Sequence, residues 1–198
     1  PVAERADRYS VRGRMDERYD LVRSVRDQRY VYIRHYMPHR IYGQYIQYMF
    51  QTPTTRVWKQ LYDEGKLEAP QTFFWEPKPV EELYDLEYDP DEVQNLAASP
   101  SHRTVLHRFR EAHKNWVMET RDLGFLPEGE IHQRAGDRTP YEMGQSDQDY
   151  PLAQIFEMAQ LAAQRDMETL PQLVEALGAE DSAVRYWGAL GLLIRGKE

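Results

Sequence analysis

Cysteine is absent from the 198 residues. That excludes a disulfide framework, a thiolate nucleophile and cysteine-held zinc, and it leaves the redox compartment open. No stretch approaches the ~20 consecutive apolar residues of a membrane-spanning helix, so no membrane partner is expected. The opening Pro1-Val2-Ala3-Glu4-Arg5 lacks an initiator Met and a signal-peptide pattern, and the chain is expected to be cut from a longer polypeptide. Lysine is missing from residues 1–40, which instead hold ten Arg against six acids. Arginine without lysine suits bidentate binding of sulfate, phosphate or carboxylate, whereas arginines paired with Asp16, Glu17, Asp20 and Asp27 would be the structural alternative.

Hydrophobic residues make up 41% and the chain carries 14 Tyr and 4 Trp, enough large packing surface for a folded protein. A mean hydropathy of -0.79 signals a broad polar surface. The net charge of -8 argues against nucleic acid as the main partner. The charge is uneven: the acid excess gathers in residues 141–198, which hold ten acids and four bases.

Periodicity supplies the architecture. Leu21, Val22 and Val25, then Tyr30 to Ile33 and Tyr36, flank Asp27-Gln28 and predict a β-hairpin. Met37 to Pro53 reads as a long ordered aromatic loop with Gly43 inside. Val57, Trp58, Leu61 and Tyr62 predict a short helix with Thr54 or Thr55 near its N-cap and Gly65 at its end. Glu82 to Leu86 alternates as a strand turned by Asp89-Pro90-Asp91. Ser99-Pro100 opens the clearest helix, with Val105, Leu106, Phe109, Ala112, Trp116 and Val117 on the face expected to pack on the sheet. Gly124 to Tyr150 reads as a linker or surface wrap. Three helices are predicted at about 151–165, 168–177 and 181–195.

Three segments in order resemble the carboxy-terminal subdomain of bacterial formylglycine-dependent sulfatases, especially the heparan N-sulfatase-like branch. They are Arg14 to Asp27 with Arg29 to Arg34, then Glu81-Glu82-Leu83-Tyr84-Asp85-Leu86 with Asp89-Pro90 and Asn95-Leu96-Ala97, and then the helix from Ser101 to Leu123. The final helices resemble the start of a HEAT-type repeat. The resemblance implies an α+β fold: a small antiparallel sheet against a long helix in residues 1–130, a linker at 131–150, and an incomplete all-α HEAT-like extension at 151–198.

What the resemblance implies for chemistry lies mostly outside these residues. Sulfatases of this kind, in the alkaline-phosphatase-like superfamily, hydrolyse sulfate esters or sulfamates with a formylglycine made from Cys or Ser in a Cys/Ser-x-Pro/Ala-x-Arg motif beside calcium, both expected in an amino-terminal catalytic domain. The near-match Ser99-Pro100-Ser101-His102-Arg103 has Ser where Pro or Ala is needed. It reads better as a helix start. Asp89, Asp91 and Glu92 read as turn acids rather than calcium ligands. The chain alone is therefore predicted inactive, with no catalytic or metal residue of its own. Its partners would be the catalytic domain of the same polypeptide and a sulfated glycan or other sulfate ester. The family tendency points to the periplasm or exterior.

The candidates for substrate contact are Arg14, Asp16 and Arg18 at an expected first strand, and His39, Arg40, Tyr42 and Gln44 in the aromatic loop. Arg and His would meet an anionic glycan and Tyr would stack on a sugar ring. The alternative is that each holds the loop on the absent domain. His35 and His39 stand four apart with Pro38 between them, and His102, His107 and His113 share no metal-binding helix face. A stand-alone binding or scaffold module acting through the helical end is the competing class.

Overall fold

The computed structural model describes residues 7–196. The start at Pro1 to Arg5, read above as a cut end, lies outside them. Two units divide the chain, one reaching Leu106 and the other beginning at His107.

The first unit is built on four strands, β1 (Arg8–Arg12), β2 (Val22–Arg26), β3 (Tyr30–His35) and β4 (Glu81–Asp85), in that spatial order. Every neighbouring pair is antiparallel. The hairpin of β2 and β3 closes without a glycine because the Asp27 carboxylate accepts from the backbone N–H of Arg29 at 2.8 Å and Tyr30 at 2.6 Å. A side chain thus supplies the turn that Asp-Gln alone specifies weakly.

Strand alternation puts Leu21, Arg23 and Val25 on the buried face, and leaves Val22 half-buried on the other. Arg23 is tolerated there because its guanidinium donates to the carbonyls of Val22 at 2.9 Å and Arg12 at 3.2 Å. The outer edge of β4 is covered by Asn95. Its Oδ1 accepts from the Leu83 N–H and its Nδ2 donates to the Glu81 carbonyl, both at 3.1 Å. The Asp89 carboxylate meanwhile accepts from the N–H groups of Val93 and Gln94. This Asp-Pro-to-Asn segment is an edge cover for the sheet.

Between β3 and β4 run α1 (Gln47–Gln51) and α2 (Pro53–Asp63). Thr52, and not Thr54 or Thr55, stands at the N-cap of α2, because Pro53 takes the first helical position where its missing N–H costs nothing. Gly65 ends the helix at φ 66, as its position after the apolar stripe predicts. Trp58 of α2 stacks on Phe74 at 4.7 Å and meets Trp75 edge-on at 5.3 Å. Gly43 lies against the Trp75 ring, where a Cβ would stand 2.6 Å from ring carbons.

A 3-10 turn at Pro100–His102 leads into α3 (Arg103–Thr120), which begins in the first unit and continues into the second. The second unit then holds α4 (Glu128–Ala135), α5 (Pro140–Gly144), α6 (Leu152–Ala163), α7 (Leu170–Ala176) and α8 (Ser182–Arg195). The last three match the sequence expectation closely. The stretch read as a linker does not: it contains α4 and α5 and buries Ala135, Met143 and Tyr150. Arg134 of α4 explains why it is held, since it pairs with Asp181 at 2.9 Å while Asp181 caps α8 through the N–H groups of Ala183 and Val184.

Candidate functional site

Arg14, Asp16 and Arg18 lie in the connection between β1 and β2 rather than on a strand. Reciprocal backbone hydrogen bonds between Met15 and Arg18, at 2.9 and 3.0 Å, pinch a tight turn. Asp16 takes the left-handed conformation at φ 49 that short acidic side chains tolerate. The turn stands beside α1. Arg18 Nη2 donates to the Tyr48 hydroxyl at 3.4 Å, and Arg14, Asp16, Glu17, Gln47, Tyr48 and Gln51 line an open hollow of about 550 Å³. Its lining mixes carboxylates, amides, a guanidinium and a phenol, which is chemistry suited to a polar, hydroxylated or charged ligand.

The stretch read as one long loop is not all loop: its later part forms α1, whose Gln47, Tyr48 and Gln51 line the hollow, while its candidates His39, Arg40, Tyr42 and Gln44 go elsewhere. The Arg40 N–H donates to the Met37 carbonyl at 3.0 Å in a turn that leaves Arg40 exposed and His39 half-buried. The Lys78 N–H donates to the Pro38 carbonyl at 2.9 Å and ties the loop to the segment entering β4. Gln44 is half-buried, with its Nε2 enclosed and lacking a hydrogen-bond partner among the described residues. Tyr42 turns its hydroxyl inward, donating to Glu82 Oε1 at 2.6 Å and standing 3.1 Å from His35 Nε2.

Tyr42 thereby belongs to a buried polar cluster that the sequence reading did not assemble. His35 from β3 and Glu82 from β4 approach to 3.3 Å, and Lys78 pairs with Asp20. The Lys78 ammonium also lies over the Tyr42 ring, 5.4 Å from its centroid. His35 and Lys78 are at most 1% exposed, and Asp20 and Glu82 at most 4%. Burial drives the Lys78 ammonium below its usual pKa range against the pull of Asp20. Burial would raise the Glu82 carboxyl, but hydrogen bonds from His35, Tyr42 and Tyr84 reverse this and hold it below the ordinary carboxylate range. The Tyr42 phenol is driven up by burial and by the Glu82 charge.

These groups pair with one another in a closed space, with only His35 Nδ1 enclosed and lacking a hydrogen-bond partner among the described residues, so the cluster braces the loop rather than presenting a nucleophile to solvent. Little in the sequence announces it. Lys78 is a single lysine between prolines, and Glu82 and His35 come together only through the pairing of β3 with β4.

Among the described residues no group of three His, Asp or Glu side chains is arranged to hold a metal ion. Asp89 is already engaged by backbone N–H groups. Ser99 stands at the N-cap position before Pro100, but its hydroxyl makes no capping hydrogen bond and lies 2.9 Å from His102 Nδ1, which is 3.1 Å from the Ser101 hydroxyl.

No protein-family model matches the chain. Comparison with curated proteins supports a relationship to the sulfatases. The relative is an ulvan-active sulfatase from Formosa agariphila, 37% identical over 129 residues. The match takes in 65% of this chain and 22% of the relative, so the chain spans less than a quarter of that protein's length.

Proposed function

We propose that this chain is the carboxy-terminal portion of a sulfatase, a hydrolase of sulfate esters or sulfamates, and that it supports the fold and the substrate pocket of a catalytic domain lying outside these residues. The observation that carries the reading is the 37% identity over 129 residues, confined to 22% of a sulfatase. Formylglycine and calcium belong to that catalytic domain. A sulfated glycan is the substrate class, since the relative is named for activity on ulvan. Arg14 and Asp16 at the open hollow, with Arg18 held beside it by the Tyr48 hydroxyl, are the side chains of this portion best placed for substrate. His39, Arg40, Tyr42 and Gln44 act through the loop that the buried cluster braces.

Two measurements test this. The gene upstream of the codon for Pro1 should encode a Cys/Ser-x-Pro/Ala-x-Arg motif, and its full-length product should hydrolyse an aryl sulfate in the presence of calcium. The purified 198-residue chain should not. Turnover by the chain alone that survives both Ser99→Ala and further purification would place the active site here instead and overturn the reading.

The second reading is a binding or scaffold module that uses the helical end. One observation favours it: α7 and α8 carry apolar residues on both faces. Leu173, Trp187 and Gly191 are buried, while Val174 is 57% and Leu193 61% exposed. A helical hairpin apolar on two sides is the pattern of a HEAT-type repeat awaiting a neighbour. A full-length product that lacks the nucleophile motif would favour this module.

A further inference from the structure

Arg14 and Arg18 belong to the turn at the hollow and Arg12 lies within electrostatic reach of Lys78, but the arginine excess of the first forty residues is not exhausted by them. Part of it gathers on β1 and β2, at the exposed end of a sheet face that is buried around His35 and Glu82 on β3 and β4. In the β1–β2 register Arg8 stands directly opposite Arg26, Ser10 opposite Ser24 and Arg12 opposite Val22. Alternation puts these six side chains on one face, with Leu21, Arg23 and Val25 on the other. Arg8, Ser10 and Arg26 are exposed, and Arg12, Val22 and Ser24 are half-buried.

Like charges directly opposite on neighbouring strands repel and destabilise the pair, so two facing arginines gain most when an anion is shared between them. Among the described residues no ion pair joins Arg8, Arg12 or Arg26 to a carboxylate. The acid felt by Arg26 is Glu92, whose carboxyl is pushed up chiefly by burial and only partly drawn back by Arg26.

The spacing selects the kind of anion. Arg8 and Arg26 can clamp one oxyanion between them, with the Ser10 and Ser24 hydroxyls alongside. Arg12 lies four residues along β1, roughly 13 Å away at the usual strand rise. A single small anion would use the Arg8–Arg26 pair alone, whereas an extended polymer with charges at intervals reaches both points. Ser10, Ser24 and Val22 offer no aromatic platform on which the bases of a single-stranded nucleic acid would stack.

We propose that the exposed β1–β2 end of this face is a binding surface for an acidic polysaccharide, held through its sulfate or carboxylate groups by the exposed Arg8 and Arg26 and, further along, by the half-buried Arg12. The inference rests on the sulfatase reading only for the source of such a polymer.

The test is equilibrium binding to the full 198-residue chain by calorimetry. The probes are dextran sulfate (sulfated), polygalacturonate (carboxylated), neutral dextran and polyglutamate. Dextran sulfate should bind at low ionic strength and weaken steeply as salt screens the exposed guanidinium groups. The double variant Arg8→Gln/Arg26→Gln should bind about tenfold more weakly or worse, the loss of roughly one charge-assisted contact. Arg8→Lys/Arg26→Lys, which keeps the charge but not the fork, should fall between. Arg56→Gln on α2 should match the unaltered chain.

Failure of dextran sulfate to bind, or equal binding by the double variant with an unchanged circular dichroism spectrum, would overturn the proposal. Polyglutamate binding as tightly as dextran sulfate would also overturn it, reassigning the face to an acidic protein segment. None of these readouts needs turnover, so they stand or fall independently of the catalytic motif upstream.

Discussion

At the scale of single residues, Lys78 and Asp20 show how a charge persists in the interior of the first unit. Removing one member of a buried ion pair leaves the other uncompensated, typically at a cost of about 3–5 kcal/mol, whereas replacing both can be nearly neutral. Lys78→Met should therefore lower unfolding free energy in urea by about that amount. Asp20→Asn/Lys78→Met should recover most of the loss, because Asn keeps the acceptor that Asp20 Oδ1 offers to the Leu21 N–H at 2.9 Å. A double variant no more stable than Lys78→Met would show that the pair is not the term that matters.

Tyr42→Phe removes the donor that Glu82 receives at 2.6 Å. A loss of about 1–3 kcal/mol in the same titration is expected for a buried acceptor left short of a partner. The sequence singled out Tyr42 as an aromatic in a long loop, expected to stack on a sugar ring. Its hydroxyl's partners were not, since they come from β3 and β4 and meet only through sheet pairing.

Among the elements, α8 owes its position to two glycines that helix propensity alone would disfavour. A Cβ at Gly191 would stand 2.6 Å from the Leu173 side chain and 3.0 Å from the Ala162 backbone. Gly191→Ala should lower stability by about 1–3 kcal/mol through overpacking, although Ala is the better helix former. Gly129→Ala in α4 has nothing within 4 Å of the new Cβ and should raise stability by up to about 1 kcal/mol. Opposite signs in two thermal melts are the check.

Elements with a clear period were readable: the β2–β3 hairpin, β4, α3 and α6 to α8 all appear where spacing predicts them. Those that escaped were short or exposed. β1 alternates arginine and small residues, and its strand character comes from pairing with β2 rather than from apolar patterning. α4 and α5 have eight and five residues, too few turns for periodicity to register, though Thr139 and Glu142 do form a capping box.

For the molecule as a whole, titration couples the paired carboxylates to stability. Glu82 and Asp85 in the first unit, and Asp149 and Asp181 in the second, have folded pKa values below their ordinary ones. A depressed carboxyl pKa stabilises the fold above its unfolded value, around 4, and that contribution is lost as pH falls through the folded value. Glu92 is raised and acts in the opposite sense, costing stability as pH rises through its unfolded value. Glu64 and Glu142 are lowered too, so among the described residues six carboxyls stand against one. Unfolding free energy should therefore decline as pH falls below about 4, and Glu82→Gln should shallow that decline. A Glu82→Gln acid limb as steep as that of the unaltered chain would exclude Glu82 as a contributor.

The sequence by itself determined the class of fold, most element positions and the likeness to sulfatases, because local periodicity, turn residues and co-linear motifs are written along the chain. Only the tertiary structure decided that Tyr42 faces a buried Lys78–Asp20 and Glu82–His35 cluster, that Arg14 and Asp16 flank a hollow with Tyr48, and that Arg8 confronts Arg26. Each of these depends on strand register and loop closure, which join residues far apart in sequence through hydrogen bonds and burial that no local window contains.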